Sequence, residues 1–193
     1  MTAIPEKKLY TFEEYLALEE ASETRYEYWD GEVFAMAGTT KRHNRLVLRL
    51  AGLLESFALR QGCAVFAENV KQQLVHRSRY VYPDIIYTCD ADDLEDDLTM
   101  LVKSPCLLIE VLSDSTKTED TTTKLTNYFR LPSLQAYLLV SQKKIQIQVY
   151  ERANDFLKCR TFTDIEDIIH LEKLGITLRL ADVYAGFNLK AGA

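Results

Sequence analysis

The sequence predicts an α/β (α+β) fold, a mixed β-sheet flanked by helices. Two observations predict it. A run of helical period follows Lys41, and short β-rich segments divided by turn dipeptides lie on either side of it. The resulting order is α, β-hairpin, α, β, β, β, α, β, β, which alternates the two element types within one chain.

Thr11-Phe-Glu-Glu14 matches a capping box, Thr11 at N-cap and Glu14 at N3, so a first helix covers about Phe12–Glu20. RYEYW-DG-EVFAMA reads as a hairpin around Asp30-Gly31, the dipeptide a type I′ turn requires. A second helix starts near Lys41 and closes at Gly62. Leu46, Leu50, Leu53, Leu54 and Phe57 share one of its faces, and Arg42, Arg45 and Arg49 another. Those arginines are first a solvated face and second a phosphate-binding stripe. Strands Ala64–Val75 and Tyr80–Thr88 are joined by the turn HRSR. DADDLEDD, Asp90–Asp97, reads as a solvated loop before the strand Cys106–Leu112. A third helix, about Lys117–Arg130, ends ahead of Leu131-Pro132, because proline disfavours helix in its predecessor. Ala136–Val140 and Ile145–Tyr150 form a second hairpin; ITLRL reads as a strand and ADVYAGF as a short helix or turn.

At 193 residues the chain reads as a single domain, 1–193; with 4 Pro and 7 Gly it has little material for linkers. The opening MTAIPEKKLYTFEEYLALEE lacks the apolar core of a signal peptide, and no apolar run reaches spanning length, so no membrane partner is expected. Cys63, Cys89, Cys106 and Cys159 lie far apart without a CxxC spacing, and three of them sit in apolar surroundings and read as buried. Zinc and a disulfide framework are therefore disfavoured, and a reducing, cytoplasmic location is expected. The net charge of −6 argues against a constitutive nucleic-acid coat, whose affinity comes from neutralising phosphates, but leaves room for an enzyme with a local basic groove.

Two acids stand where acids are rarely found. Glu110 interrupts an apolar strand, and Asp84 follows Pro83 inside YVYPDIIYTC. Carboxylates are almost never buried unless paired or bound to a metal. Proline in a strand marks an edge, a bulge or a first position, where side chains are often re-aimed. Antiparallel pairing of these two strands would set Asp84 beside Glu110. Mg²⁺ would relieve their repulsion, with the Val111 carbonyl as a further ligand. The plainer reading has each acid facing solvent or capping a turn. Phosphodiester hydrolysis also needs a cation near the transition state. Lys124, on the next helix, is the candidate; a surface pair with Asp120, four residues earlier, is its plainer role.

These residues resemble the Uma-two family of restriction endonucleases, a branch of the PD-(D/E)XK nuclease superfamily. The resemblance is carried by Asp84 after proline, Glu110–Ser113 (EVLS), Asp120, Lys124 and Tyr128. Arg25–His43 is similar to that family's opening hairpin and histidine-led helix, and AYLLVSQKKIQIQVYER to its last strands. The likeness runs from about Thr11 to Leu180. It implies a restriction-endonuclease-like core, a Mg²⁺- or Mn²⁺-dependent endonuclease acting on DNA, and metal held by Asp84 and Glu110. Glu27 matches the family's first-hairpin acid and His43 its histidine. The superfamily's cutting of both strands as dimers makes a homodimer an expectation. One departure stands out: the usual E-x-K lysine position is Leu112 here, and the Uma-two pattern places the lysine at Lys124 instead. A catalytically inactive module that binds nucleic acid or protein is the alternative.

Overall fold

The computed structural model describes residues 8–36, 38–95, 98–112, 118–154 and 156–191. Helix α1 (Phe12–Glu20) opens with the predicted capping box: Glu14 N–H donates to Thr11 Oγ1 and Thr11 N–H to Glu14 Oε2. Strands β1 (Tyr26–Trp29) and β2 (Glu32–Ala35) form the hairpin. Asp30 and Gly31 both adopt positive φ, as a type I′ turn demands. Helix α2 (Lys41–Gln61) is capped by Thr40 and stops at Gly62, whose φ of 68° puts it in the left-handed region that favours glycine.

The ribbon that follows departs from the expectation of two long strands. Each strand breaks, giving β3 (Ala64–Ala67) and β4 (Lys71–Val75) on the way out, and β5 (Arg79–Val81) and β6 (Ile85–Thr88) on the way back. Proline at position 83 has no N–H to give the ladder. Opposite it, Glu68 and Asn69 both take positive φ. The ribbon therefore bends, and its two ends join different sheets. Asp84 lies at the bend.

The acidic segment is more than a solvated loop. Residues Ala91–Glu95 form a helical turn, α3. Asp93 accepts from the backbone N–H groups of Lys103 and Ser104 and from the Thr88 hydroxyl, tying the turn to its surroundings. Asp96 and Asp97 lie outside the described residues. Next come β7 (Leu101–Val102), β8 (Leu107–Leu112), α4 (Thr118–Tyr128), β9 (Ala136–Ser141), β10 (Lys144–Ile145) and β11 (Ile147–Arg152). The chain continues through β12 (Leu157–Phe162), β13 (Ile168–Leu171), β14 (Ile176–Arg179), α5 (Leu180–Val183) and β15 (Lys190–Ala191).

Among the described residues there are two large sheets rather than one. A five-stranded sheet runs β2-β1-β5-β4-β7, and a six-stranded mixed sheet runs β12-β11-β9-β8-β6-β3. In the second, β6 and β8 are antiparallel and β8 and β9 parallel. Alternation along β8 sorts its side chains between two cores. Leu107, Ile109 and Val111 pack with Leu46, Leu50 and Leu54 of α2. Leu108 and Leu112 face the other way, toward Tyr128, Leu131 and Tyr137. Glu110 shares their parity, so its side chain points to the α4 side.

The expectation against a disulfide does not hold for one pair. Cys63 and Cys89 are bonded, one step beyond the Ala64↔Thr88 register, and Cys106 Sγ lies 3.9 Å from Cys89 Sγ. None of the four cysteines is buried. Antiparallel pairing of β3 with β6 joins residues 26 positions apart, which no local spacing announces. Among the described residues, no helix is long and apolar enough to cross a membrane.

Candidate active site

The bend at Pro83-Asp84 ends the β6–β8 ladder at Ile85↔Ile109. One step further the register sets Asp84 opposite Glu110. With β6 ended there, Val111 N–H donates to Asp84 Oδ2 at 2.6 Å, so a carboxylate replaces the missing strand carbonyl. The N–H and C=O of one strand residue point to the same side, so Val111's carbonyl is directed to this side as well.

From the α2 side, His43 reaches the same Asp84 oxygen with Nε2 at 3.1 Å. Thr40 caps the backbone N–H of His43 and donates its hydroxyl to Gln142, which in turn donates to the carbonyl of Leu112. The first turn of α2 is thereby fastened to the ends of β8 and β9. His43 is 4% exposed, and its Nδ1 has no hydrogen-bond partner among the described residues. Burial works against protonation of this ring, but the hydrogen bond and charge of Asp84 outweigh it, and the net shift is upward from the usual histidine value.

From the other side, α4 lays Lys124 and Tyr128 over Glu110. Lys124 Nζ lies 3.2 Å from Glu110 Oε1 and 2.9 Å from Glu27 Oε1, and Tyr128 donates its hydroxyl to Glu110 Oε1 at 2.8 Å. Glu27 also accepts from the Trp29 indole. These charged side chains are only 13–15% exposed, well inside the region where ion pairs are poorly screened. Burial pushes the Glu110 carboxyl up to about 7. Lys124 opposes that rise, while the negative charges of Asp84 and Glu27 add to it. Such a carboxyl changes charge near neutrality, a property that marks functional clefts.

His43, Asp84, Glu110, Val111, Lys124 and Glu27 all line one cleft of about 770 Å³. These six candidate site residues from the sequence are therefore in one place. Asp84 and Glu110 are each only 15% exposed, so neither simply faces solvent. Glu27 is a partner of a lysine, as a hairpin acid often is, but the lysine is 97 residues away and belongs to the cleft. The side chain of Asp120 lies outside the described residues, as do Ser113 and Lys117. Leu112, in the usual lysine position, packs into the apolar core. Among the described residues, no group of three or more His, Cys, Asp and Glu side chains is arranged to close around a metal ion. Mg²⁺ does not need one: a few carboxylate or carbonyl oxygens with retained waters suffice. Asp84, Glu110 and the Val111 carbonyl are the oxygen groups here that could hold that ion.

Two contributors have no role assigned from the sequence, although Tyr128 is among the residues that carry the family resemblance. Gln142 had no signal, being one polar residue in a turn. Tyr128 shares the Lys124 face of α4 by helical spacing, a hint that gave it no role. Of the arginines on α2, Arg42 donates to the Gln142 carbonyl, and Arg45 donates to the Gly186 carbonyl while lying over the Phe187 ring.

A family model described as Uma2, "Putative restriction endonuclease", matches residues 12–181. The chain belongs to the Uma2 family. Proteins similar to this Uma2 chain include the Synechocystis sp. (strain ATCC 27184 / PCC 6803 / Kazusa) protein slr1290, 33% identical over 174 residues and covering 90% of each chain. Protein sll1609 of the same strain is 30% identical over 155 residues, covering 80% of this chain and 88% of its own. The Uma2 fold recurs in a crystal structure from Anabaena variabilis ATCC 29413, described as "a putative nuclease belonging to DUF820". It has a TM-score of 0.75 at 15% identity and covers 91% of this chain and 97% of that one. At so low an identity the likeness of the Uma2 chain to that structure is one of fold.

Proposed function

We propose that this chain is a Mg²⁺- or Mn²⁺-dependent endonuclease that hydrolyses DNA phosphodiester bonds. The observation that carries the reading is the convergence of two carboxylates in adjacent register and one ammonium, from three different elements, on a single cleft. Asp84, Glu110 and the Val111 carbonyl would hold the cation. All are oxygen donors, the type a hard divalent ion takes. The ion, when bound, would supply Lewis acidity toward a phosphate oxygen and ease deprotonation of a water.

The chain's own residues have distinct tasks. Asp84 is held by Val111 N–H and His43, which fix its orientation before any ligand arrives. Tyr128 steadies Glu110 from behind. Lys124, placed by Glu27, brings a positive charge to the side of the cleft where negative charge would grow on the phosphate during attack. It takes the part of the lysine that the superfamily usually carries two residues after the acid. Moving it to α4 is sterically simple, because α4 covers the face of β8 to which Glu110 points.

The test is cleavage of supercoiled plasmid DNA in Mg²⁺ by the wild type and by Glu110→Ala, with circular dichroism to check the fold. Nicking or linearisation by the wild type that vanishes in a folded Glu110→Ala is expected. Undiminished cleavage by that variant would remove Glu110 from the mechanism. A folded wild type that binds DNA yet cuts nothing in either metal would leave the inactive binding module as the correct reading.

A further inference from the structure

One wall of the cleft is neither charged nor conventional core. Phe34 and Met36 are 44% and 38% exposed, large apolar side chains on the lining of a cleft that also holds the ionised groups of the site. Phe34 lies on β2, the edge strand of its sheet, and its register partner on β1 is Glu27. Residues directly opposite in an antiparallel pair project to the same face, with their Cβ atoms about 4.5–5.5 Å apart. The ring therefore stands beside the carboxylate that holds Lys124. The same cleft is also lined by basic side chains: Lys41 and Arg42 in the first turn of α2, which carries no acid, and Lys143 after β9.

An aromatic face, a thioether and basic side chains around one cleft match the two halves of a nucleotide: a base to stack and phosphates to neutralise. In a duplex both faces of each base are already stacked, and an aromatic side chain finds no partner unless a base is unpaired or extruded. From this placement we propose that the cleft takes single-stranded DNA, with an unpaired base against Phe34 and Met36 and the strand's phosphates along Lys41, Arg42 and Lys143. The inference rests on the nuclease reading for the polarity of the site and extends it by naming the substrate class. Phe34 is a specificity determinant in this account, and Lys124 marks where the neighbouring phosphate sits.

Fluorescence anisotropy in EDTA, with a labelled single strand, a blunt duplex and the same duplex carrying a central single-stranded gap, tests it. The wild type is expected to bind the single strand and the gapped duplex more tightly than the blunt duplex. Phe34→Ala should weaken single-strand binding by roughly 5- to 150-fold, the range expected for one lost base–aromatic stack. Phe34→Tyr should restore it, because it keeps the ring. The substitution changes an exposed position, and an unchanged thermal midpoint would show the fold intact. Equal binding of single strand and blunt duplex, no binding of either, or wild-type binding by Phe34→Ala would each overturn the inference. The same variants assayed for cleavage in Mg²⁺ separate the two readings. Phe34-dependent binding without cutting keeps this inference and ends the nuclease. Cutting of blunt duplex by Phe34→Ala at the wild-type rate keeps the nuclease and ends this inference.

Discussion

Replacing Lys124 by methionine removes the ammonium that lies 3.2 Å from Glu110 and 2.9 Å from Glu27, while keeping an apolar stem of similar length. At 3.2 Å and an effective dielectric of about 20, one such attraction is about 5 kcal/mol. Desolvation of the partly buried groups offsets much of it. Each 1.36 kcal/mol that survives moves the midpoint of the Glu110 carboxyl up by about one pH unit. The direction follows from the charges: Lys124 holds the carboxyl down, so its loss lifts a midpoint already at about 7. With a midpoint displaced to about 8, roughly a tenth of the carboxyl is ionised at pH 7, against about half in the wild type. Mg²⁺ affinity at pH 7, measured by calorimetry, should therefore fall about five-fold. Near pH 9 the difference should close or reverse, because a repelling cation has gone. Cleavage at saturating Mg²⁺ should drop about 10²- to 10³-fold, as when one stabilising group is removed from a transition state. A variant with the wild-type pH profile for Mg²⁺ binding and the wild-type cleavage rate would refute this account of Lys124.

The metal-free protein should lose stability as pH rises from about 5 to about 8. Folded Glu110 and His43 both hold their protons more tightly than in the unfolded chain. Their contribution is present at low pH and is lost as pH climbs through 4.5–7 for Glu110 and past 6.5 for His43, with about 3 kcal/mol as the ceiling for Glu110. Urea unfolding in EDTA at the two pH values measures it, and a protein more stable at pH 8 contradicts the assignment. Glu19 and Asp30, whose carboxyls are held down, lose stability only in more acidic solution. The bond between Cys63 and Cys89 closes a loop with a separation of 26 residues. Its reduction, or Cys63→Ser, should cost about 3 kcal/mol and lower Tm by about 6–12 °C. A thermal scan unmoved by reductant would show that the bond contributes nothing.

Much of this molecule is written in local sequence, because the forces that decide it act over a few residues. The Thr11–Glu14 capping box, the Asp30-Gly31 turn and the Gly62 terminus depend on hydrogen bonds and φ angles within one turn of chain. The apolar run Cys106–Leu112 reads as a strand and shows Glu110 as the acid that interrupts it. Proline at position 83 announced an irregularity next to Asp84. What packing alone decided is which groups meet. The ribbon bends between two sheets, because a ladder broken at both Pro83 and Glu68-Asn69 has no reason to stay straight. Residues 41 to 97 positions apart then become neighbours, as in His43 with Asp84 and Lys124 with Glu27. The sulfurs of Cys63 and Cys89 meet by strand register and not by motif. The exposed strand β12 has little hydrophobic alternation to advertise it and was not anticipated. Chain composition and periodicity specify elements; the docking of α2 and α4 on opposite faces of β8 assembles the cleft, through long-range burial that no short window of sequence contains.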